Sequence, residues 1–167
     1  VLTAVNRMIE DLKALKTAPV IEPYVGPAIL SGRAASVFFH EIFGHRIEAQ
    51  RQKDENEQHT FRNKVGELIL PSWLSVISDP GRSKHGATEL AGHYRFDNQG
   101  VRGQRVTVVE NGVLKNWLMS RTPVDGFPKS NGHGRKQPGN ATESRQSNLF
   151  VETSRAVSPA ELKQLLI

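Results

Sequence analysis

FFHEIFGH, residues 38–45, places two histidines and a glutamate among large apolar side chains. Working outward, Ala35, Val37, Phe38, Phe39, Ile42, Phe43 and Ile47 leave few polar positions around a helix through this stretch. A helix that is apolar around most of its circumference is expected to be buried. Ser31, just ahead of Gly32, is placed to cap its first turn, and the pattern runs on through Arg51. A long buried helix carrying ionisable groups is therefore the element around which the rest must pack.

The spacing of the histidines makes a sharper demand. An α-helix turns about 100° per residue, so side chains four apart lie about 40° from one another and side chains five apart about 140°. His40 and His45 are five apart, and a regular helix points them to nearly opposite sides. A π turn absorbs one residue and returns such positions to one face; a kink at Gly44, directly before the second histidine, is the other route. A distortion between Glu41 and His45 is expected on either route. The two imidazoles can then share a metal ion, with Glu41 beside them as a base toward metal-activated water. The alternative reading makes each of the three a hydrogen-bonded core residue or part of a solvated face. Burying two imidazoles and a carboxylate together is costly without a partner, and a metal supplies one.

The remaining chain reads as α+β. Thr3–Lys16 has Val5, Met8, Ile9, Leu12 and Leu15 at helical spacing. A Pro-rich connector follows, and AILSG reads as a short strand. Residues 50–64 are polar with mixed charge and suggest a loop. Leu68–Asp79 looks like strand material broken by Pro71, followed by a DPG turn. QRVTVVENGVLKNWLMS, from Gln104, is a hairpin centred on Asn111-Gly112. Residues 128–146 have almost no apolar content and read as a long loop. SNLFVET is another strand, and Ser158-Pro159-Ala160-Glu161 opens a last helix with a capping box. Helix, antiparallel strands and helix, without βαβ alternation, indicate the long motif helix packed on a mostly antiparallel sheet.

Composition narrows the function. The 167 residues are 37% hydrophobic and 23% charged, as in a folded domain. No apolar run approaches the ~20 residues of a membrane span. A net charge of +5, spread along the chain, and 7% aromatics argue against a nucleic-acid module. There is no cysteine, so any metal must use histidine, carboxylate or water. Val1 at the start and a finish within a helical pattern suggest part of a longer chain.

HEIFGH within FFHEIFGHRIEAQ, preceded by GPAILSGRAAS and followed in order by LPSWLSVISDPG, GVRGQRVTVVENGVLKNWLMSR and SNGHGR…SRQSNLFVE, resembles the TldD/PmbA metallopeptidases, in the TldD-like, metal-bearing form. The resemblance covers roughly residues 20–155. It implies zinc (Zn2+) held by His40 and His45, Glu41 as general base, and hydrolysis of small, flexible or unfolded polypeptides. It also implies a cytoplasmic enzyme that forms a homodimer or a heteromer with a related PmbA-like subunit. Residues 1–18 are then a helical segment and connector from a preceding region, and 19–167 part of the C-terminal-type domain. The family's third zinc ligand is a downstream cysteine, which this chain lacks. A non-catalytic binding or assembly subunit of the same fold is the alternative.

Other candidates surround this core. Glu48, three residues after His45, shares its helical face and is a possible ligand, with a salt-bridging or supporting role favoured. His59, His85, His93 and His133 are expected at the surface, His133 being the one best placed to line the site. Arg135, Lys136 and Arg145 are candidates for a peptide carboxylate or carbonyl, against a plain solvated loop. The Asn111-Gly112 hairpin is expected as scaffold, or as an edge that aligns an extended substrate.

Overall fold

The computed structural model describes residues 1–53 and 59–166. Helix α1 is Leu2–Thr17 and α2 is Gly32–Phe38; they are followed by a π turn at Phe39–Phe43 and 3-10 turns at Gly44–Ile47 and Ala49–Gln52. The strands are β1 (Leu74–Ser78), β2 (Lys84–His85), β3 (Thr88–Glu89), β4 (Val106–Glu110), β5 (Val113–Leu114), β6 (Gly134–Lys136), β7 (Thr142–Ser144) and β8 (Leu149–Thr153), and helix α3, Pro159–Gln164, follows. The main sheet has the order β5-β4-β1-β8, with β2-β3 and β6-β7 as separate two-stranded ribbons. Every pair is antiparallel. The expected α+β class is borne out.

The hairpin forms as its turn dictates. Asn111 and Gly112 have φ of 48° and 82°, the two positive values a two-residue hairpin turn requires. The Gly112 carbonyl accepts from the amides of Ile69 and Leu70 at 2.8 and 3.1 Å, and its own amide donates to Leu74 at 2.7 Å. Pro71 therefore ends one loop, and β1 begins beyond it at Leu74. The helix α3 cap is as expected: Ser158 Oγ accepts from the Glu161 amide and the Glu161 carboxylate from the Ser158 amide, at 3.2 and 2.7 Å.

The core lies on one face of the sheet. Val76, Val106, Val108, Val109 and Leu114 meet Trp117, Leu118 and Met119, and the motif segment adds Phe43, Ile47 and Ala49. A short parallel bridge seals this contact: Leu118 donates to the Ile47 carbonyl at 3.0 Å, and Ala49 donates to the Leu118 carbonyl at 3.1 Å. The motif segment is thus fixed to the sheet at its C-terminal end.

Three expectations are corrected. The motif helix is neither continuous nor buried along its length: no residue of α2 is buried, and Val37, Phe38 and Ile42 are exposed. Packing against the core begins with the half-buried Phe39 and becomes full burial at Phe43, so an apolar circumference has a covering element on one side alone among the described residues. AILSG forms no strand, because no neighbour pairs with it and Ile29 and Leu30 lie exposed. Residues 128–146 are not a plain loop, since β6 and β7 pair through Arg135 and Glu143. The hairpin is scaffold, as expected, and its alternative role as a substrate-aligning edge is what is set aside: its outer strand β5 is two residues long and Leu68 bridges to Val113 on it. Of the polar stretch 50–64, residues 54–58 lie outside the described residues, and Ala49–Gln52 is a 3-10 turn.

Candidate metal centre

The expected distortion falls where the histidine spacing requires it. Phe39–Phe43 is π-helical, and the Gly44 amide donates to the carbonyls of both His40 and Phe39. The chain tightens at once into a 3-10 turn over Gly44–Ile47. The π turn absorbs the fifth residue and brings the His40 and His45 rings together, with centroids 4.7 Å apart. Gly44 itself is helical, with φ −59° and ψ −44°. Its role is therefore not the backbone freedom expected of a kink. A Cβ at this position would run into the terminal amide of Gln146, so glycine leaves that side chain room to sit where it does.

Glu41 faces the gap between the imidazoles. Its two carboxylate oxygens lie 3.9 Å from His40 Nε2 and 3.7 Å from His45 Nε2. One donor atom from each of His40, Glu41 and His45 falls within 4.8 Å of the others. Ligand atoms on a tetrahedral zinc are about 3.4 Å apart, somewhat closer than the spread here. The two imidazoles suit zinc as ligands, and the carboxylate beside them suits proton transfer from bound water. The three are open to solvent: their side chains are 52%, 60% and 30% exposed for His40, Glu41 and His45. The expected cost of burying them is therefore not what points to a metal. Their convergence is.

Glu48 is the contrasting residue. It is fully buried and lies outside the three-residue cluster. Its Oε2 receives His45 Nδ1 at 3.1 Å, Arg51 Nε at 3.1 Å and Arg145 Nη1 at 2.8 Å. The other oxygen accepts from the Gln146 amide at 3.3 Å. Gln146 also donates from Nε2 to the His40 carbonyl at 3.3 Å, so residues 145 and 146 brace both the π turn and Glu48 beyond it. Arg145 belongs to this brace, while Arg135 stacks over the Tyr94 ring at 4.3 Å. Gln146 carried no signal in the sequence, since its contact depends on a pairing across 106 positions.

His133 is a correction to the expectation of a surface residue or site lining. It is completely buried. Its Nδ1 lies 2.9 Å from Asn131 Oδ1 and its Nε2 3.0 Å from Ser78 Oγ, which meets Ser147 Oγ at 2.8 Å. Burial pushes its pKa down to about 4, against a smaller upward pull from the Asn131 backbone. It holds loop 130–134 to β1 and is absent from the metal cluster. His85 and His93 are exposed, as expected, and His59 is half-buried.

A shallow groove opens beside His40, lined by Phe39, Leu149, Val151 and Gln146. It separates the motif segment from β8, an outer strand of the main sheet.

Residues 24–166 match the model of the PmbA/TldA metallopeptidase C-terminal domain. A metalloprotease of Methanocaldococcus jannaschii is 34% identical over 152 residues, 90% of this chain and 31% of that protein. A zinc metalloprotease TldD homolog of Saccharolobus solfataricus is 30% identical over 116 residues, 70% of this chain and 24% of that one. The crystal structure of TldE from Thermococcus kodakarensis superposes with a TM-score of 0.59 over 82% of this chain and 28% of its own; at 18% identity this is a likeness of fold. The chain spans about a quarter to a third of the length of these proteins. The chain belongs to the PmbA/TldD metallopeptidase family.

Proposed function

We propose that this chain carries the zinc-binding and proton-transferring part of a cytoplasmic peptidase acting on small, flexible or unfolded polypeptides. The observation that carries the reading is the convergence of His40, Glu41 and His45 across the π turn and the 3-10 turn after it. His40 and His45 would hold the ion; the cysteine that the family resemblance implies as third ligand is not among these 167 residues. Bound zinc supplies Lewis acidity, making water acidic enough to attack a carbonyl near neutral pH. Glu41 takes the proton from the attacking water on a carboxylate oxygen and delivers it to the leaving amine. Its carboxylate, poised between the two rings, needs little movement for either transfer.

The groove beside His40 suits a polypeptide in extended form. The strand that shares it is β8, so any alignment by strand addition falls there and not on the Asn111-Gly112 hairpin. Residues 1–18 are read as a segment of a preceding region. Assembly with a second copy or with a related PmbA-like subunit belongs to the same reading. The name zinc metalloprotease borne by the Saccharolobus relative supports the metal assignment.

The test is metal analysis together with peptide hydrolysis on the full-length protein. Wild type is expected to hold zinc and cleave unfolded peptides. His40→Ala should lose both, and Glu41→Gln should keep zinc and lose cleavage. Zinc retained by His40→Ala rejects the ligand assignment. Zinc without hydrolysis in wild type favours the non-catalytic subunit of the same fold.

A further inference from the structure

We infer that Glu48 is a positioning residue that selects the tautomer of His45 and aims its Nε2 at the metal. The inference rests on His45 being a ligand and adds what makes it one. Nδ1 of His45 meets a carboxylate oxygen of Glu48 at 3.1 Å. A carboxylate there only accepts, so Nδ1 must carry the proton and donate. In the neutral ring Nε2 then keeps its lone pair, and it is Nε2 that lies on the Glu41 side of the cluster. A histidine without such a partner has no fixed tautomer or ring rotation.

The carboxylate is itself held from several directions. Arg51 approaches from the following 3-10 turn, Arg145 from the segment after β7, and the Gln146 amide meets the second oxygen. Glu48 lies between two 3-10 turns with extended backbone, φ −80° and ψ 110°, locked by the Ile47–Leu118–Ala49 bridge. A buried carboxylate with two guanidiniums costs desolvation energy that a purely apolar residue would not. The expenditure is understandable if the group orients an imidazole. The chain places its buried carboxylate, Glu48, behind the half-buried histidine and its exposed carboxylate, Glu41, in front.

The test uses the full-length protein with 15N-labelled histidine, freed of zinc. Two-bond 1H–15N correlations report which ring nitrogen is protonated, and loss of a signal in His45→Gln assigns it. Wild type is expected to show His45 as the Nδ1–H tautomer. Glu48→Met, which offers no acceptor, should move it to Nε2–H and weaken zinc binding about 10- to 100-fold, read by competition with a chromophoric chelator. Glu48→Gln, whose amide oxygen still accepts, should keep Nδ1–H and lose several-fold in affinity. A purely structural Glu48 would lower the melting temperature in both variants without moving the tautomer. An Nε2–H tautomer in wild type overturns the inference, as does wild-type zinc affinity in either folded variant. If Glu48→Met does not fold, the wild-type tautomer and the Glu48→Gln affinity still decide. Zinc binding that survives both His40→Ala and His45→Gln would instead sink the ligand assignment, whatever the tautomer shows.

Discussion

Gly44 is where the site and its support touch. Because its backbone is helical, Gly44→Ala introduces no dihedral strain, only a methyl group against Gln146. The methyl meets the far end of a flexible side chain, so the cost is that of moving Gln146 off the His40 carbonyl to which it is bonded. Gly44→Ala is therefore expected to lower both thermal stability and zinc affinity. The pair Gly44→Ala with Gln146→Ala should recover much of the stability, giving a favourable coupling in a double-mutant cycle; additive losses would show that the contact is not the cause. At Glu41 the expectation is different in kind. Removing a positioned acid–base group costs about 10²–10⁴ in rate, and Glu41→Gln should show this in kcat with the melting temperature unchanged, since the side chain is mostly exposed.

Among the elements, the β4–β5 hairpin tests whether sheet stability and site chemistry are separable. Gly112 has φ of 82°, and a Cβ on it would meet the Leu70 carbonyl. Gly112→Ala is expected to destabilise by about 1–3 kcal/mol through strain and crowding, measured by chemical denaturation, while zinc affinity of the folded protein stays at the wild-type value. A change in affinity would mean that the hairpin couples to the π turn. This hairpin was fully legible in the sequence because its determinants are local: two turn residues and flanking β-formers. So was the α3 cap, and so was a break in the motif helix, which follows from helix geometry and the histidine spacing. The burial of the motif helix was misread for the opposite reason. Apolar residues around Phe38 and Ile42 state what a helix could bury, while burial needs a covering element, which Phe43, Ile47 and Ala49 meet fully and Phe39 in part. The β6–β7 ribbon was missed because its strands are three residues each, polar and half exposed. The brace from Arg145 and Gln146 depends on tertiary pairing that no local pattern records.

For the whole molecule, His133 predicts an acid limit to stability. Its pKa falls from 6.5 to about 4 on folding, so the unfolded chain binds the proton more readily between those values. Its contribution is complete above about pH 6.5 and is lost as pH falls toward 4, with an upper size on the order of 3 kcal/mol. Denaturation midpoints of the zinc-free protein should fall across that window. His133→Asn, less stable overall, should show a flatter profile there. An unchanged slope would assign the acid sensitivity to other groups. No helix among the described residues is long and apolar enough to cross a membrane.

The π turn also works as a phase shift. Up to Phe39 the helix keeps one angular register; beyond Gly44 another register carries Ile47 and Glu48 into the sheet contact. Deleting Ile42 would give H-E-x-x-H, a spacing at which a regular α-helix already aligns two histidines. The metal pair would survive on paper, yet everything upstream would rotate by about 100° and shift by about 1.5 Å against the anchored end. A shorter motif is thus a workable site that this scaffold cannot adopt. The extra residue lets one helix answer to a metal and to a core whose angular demands differ.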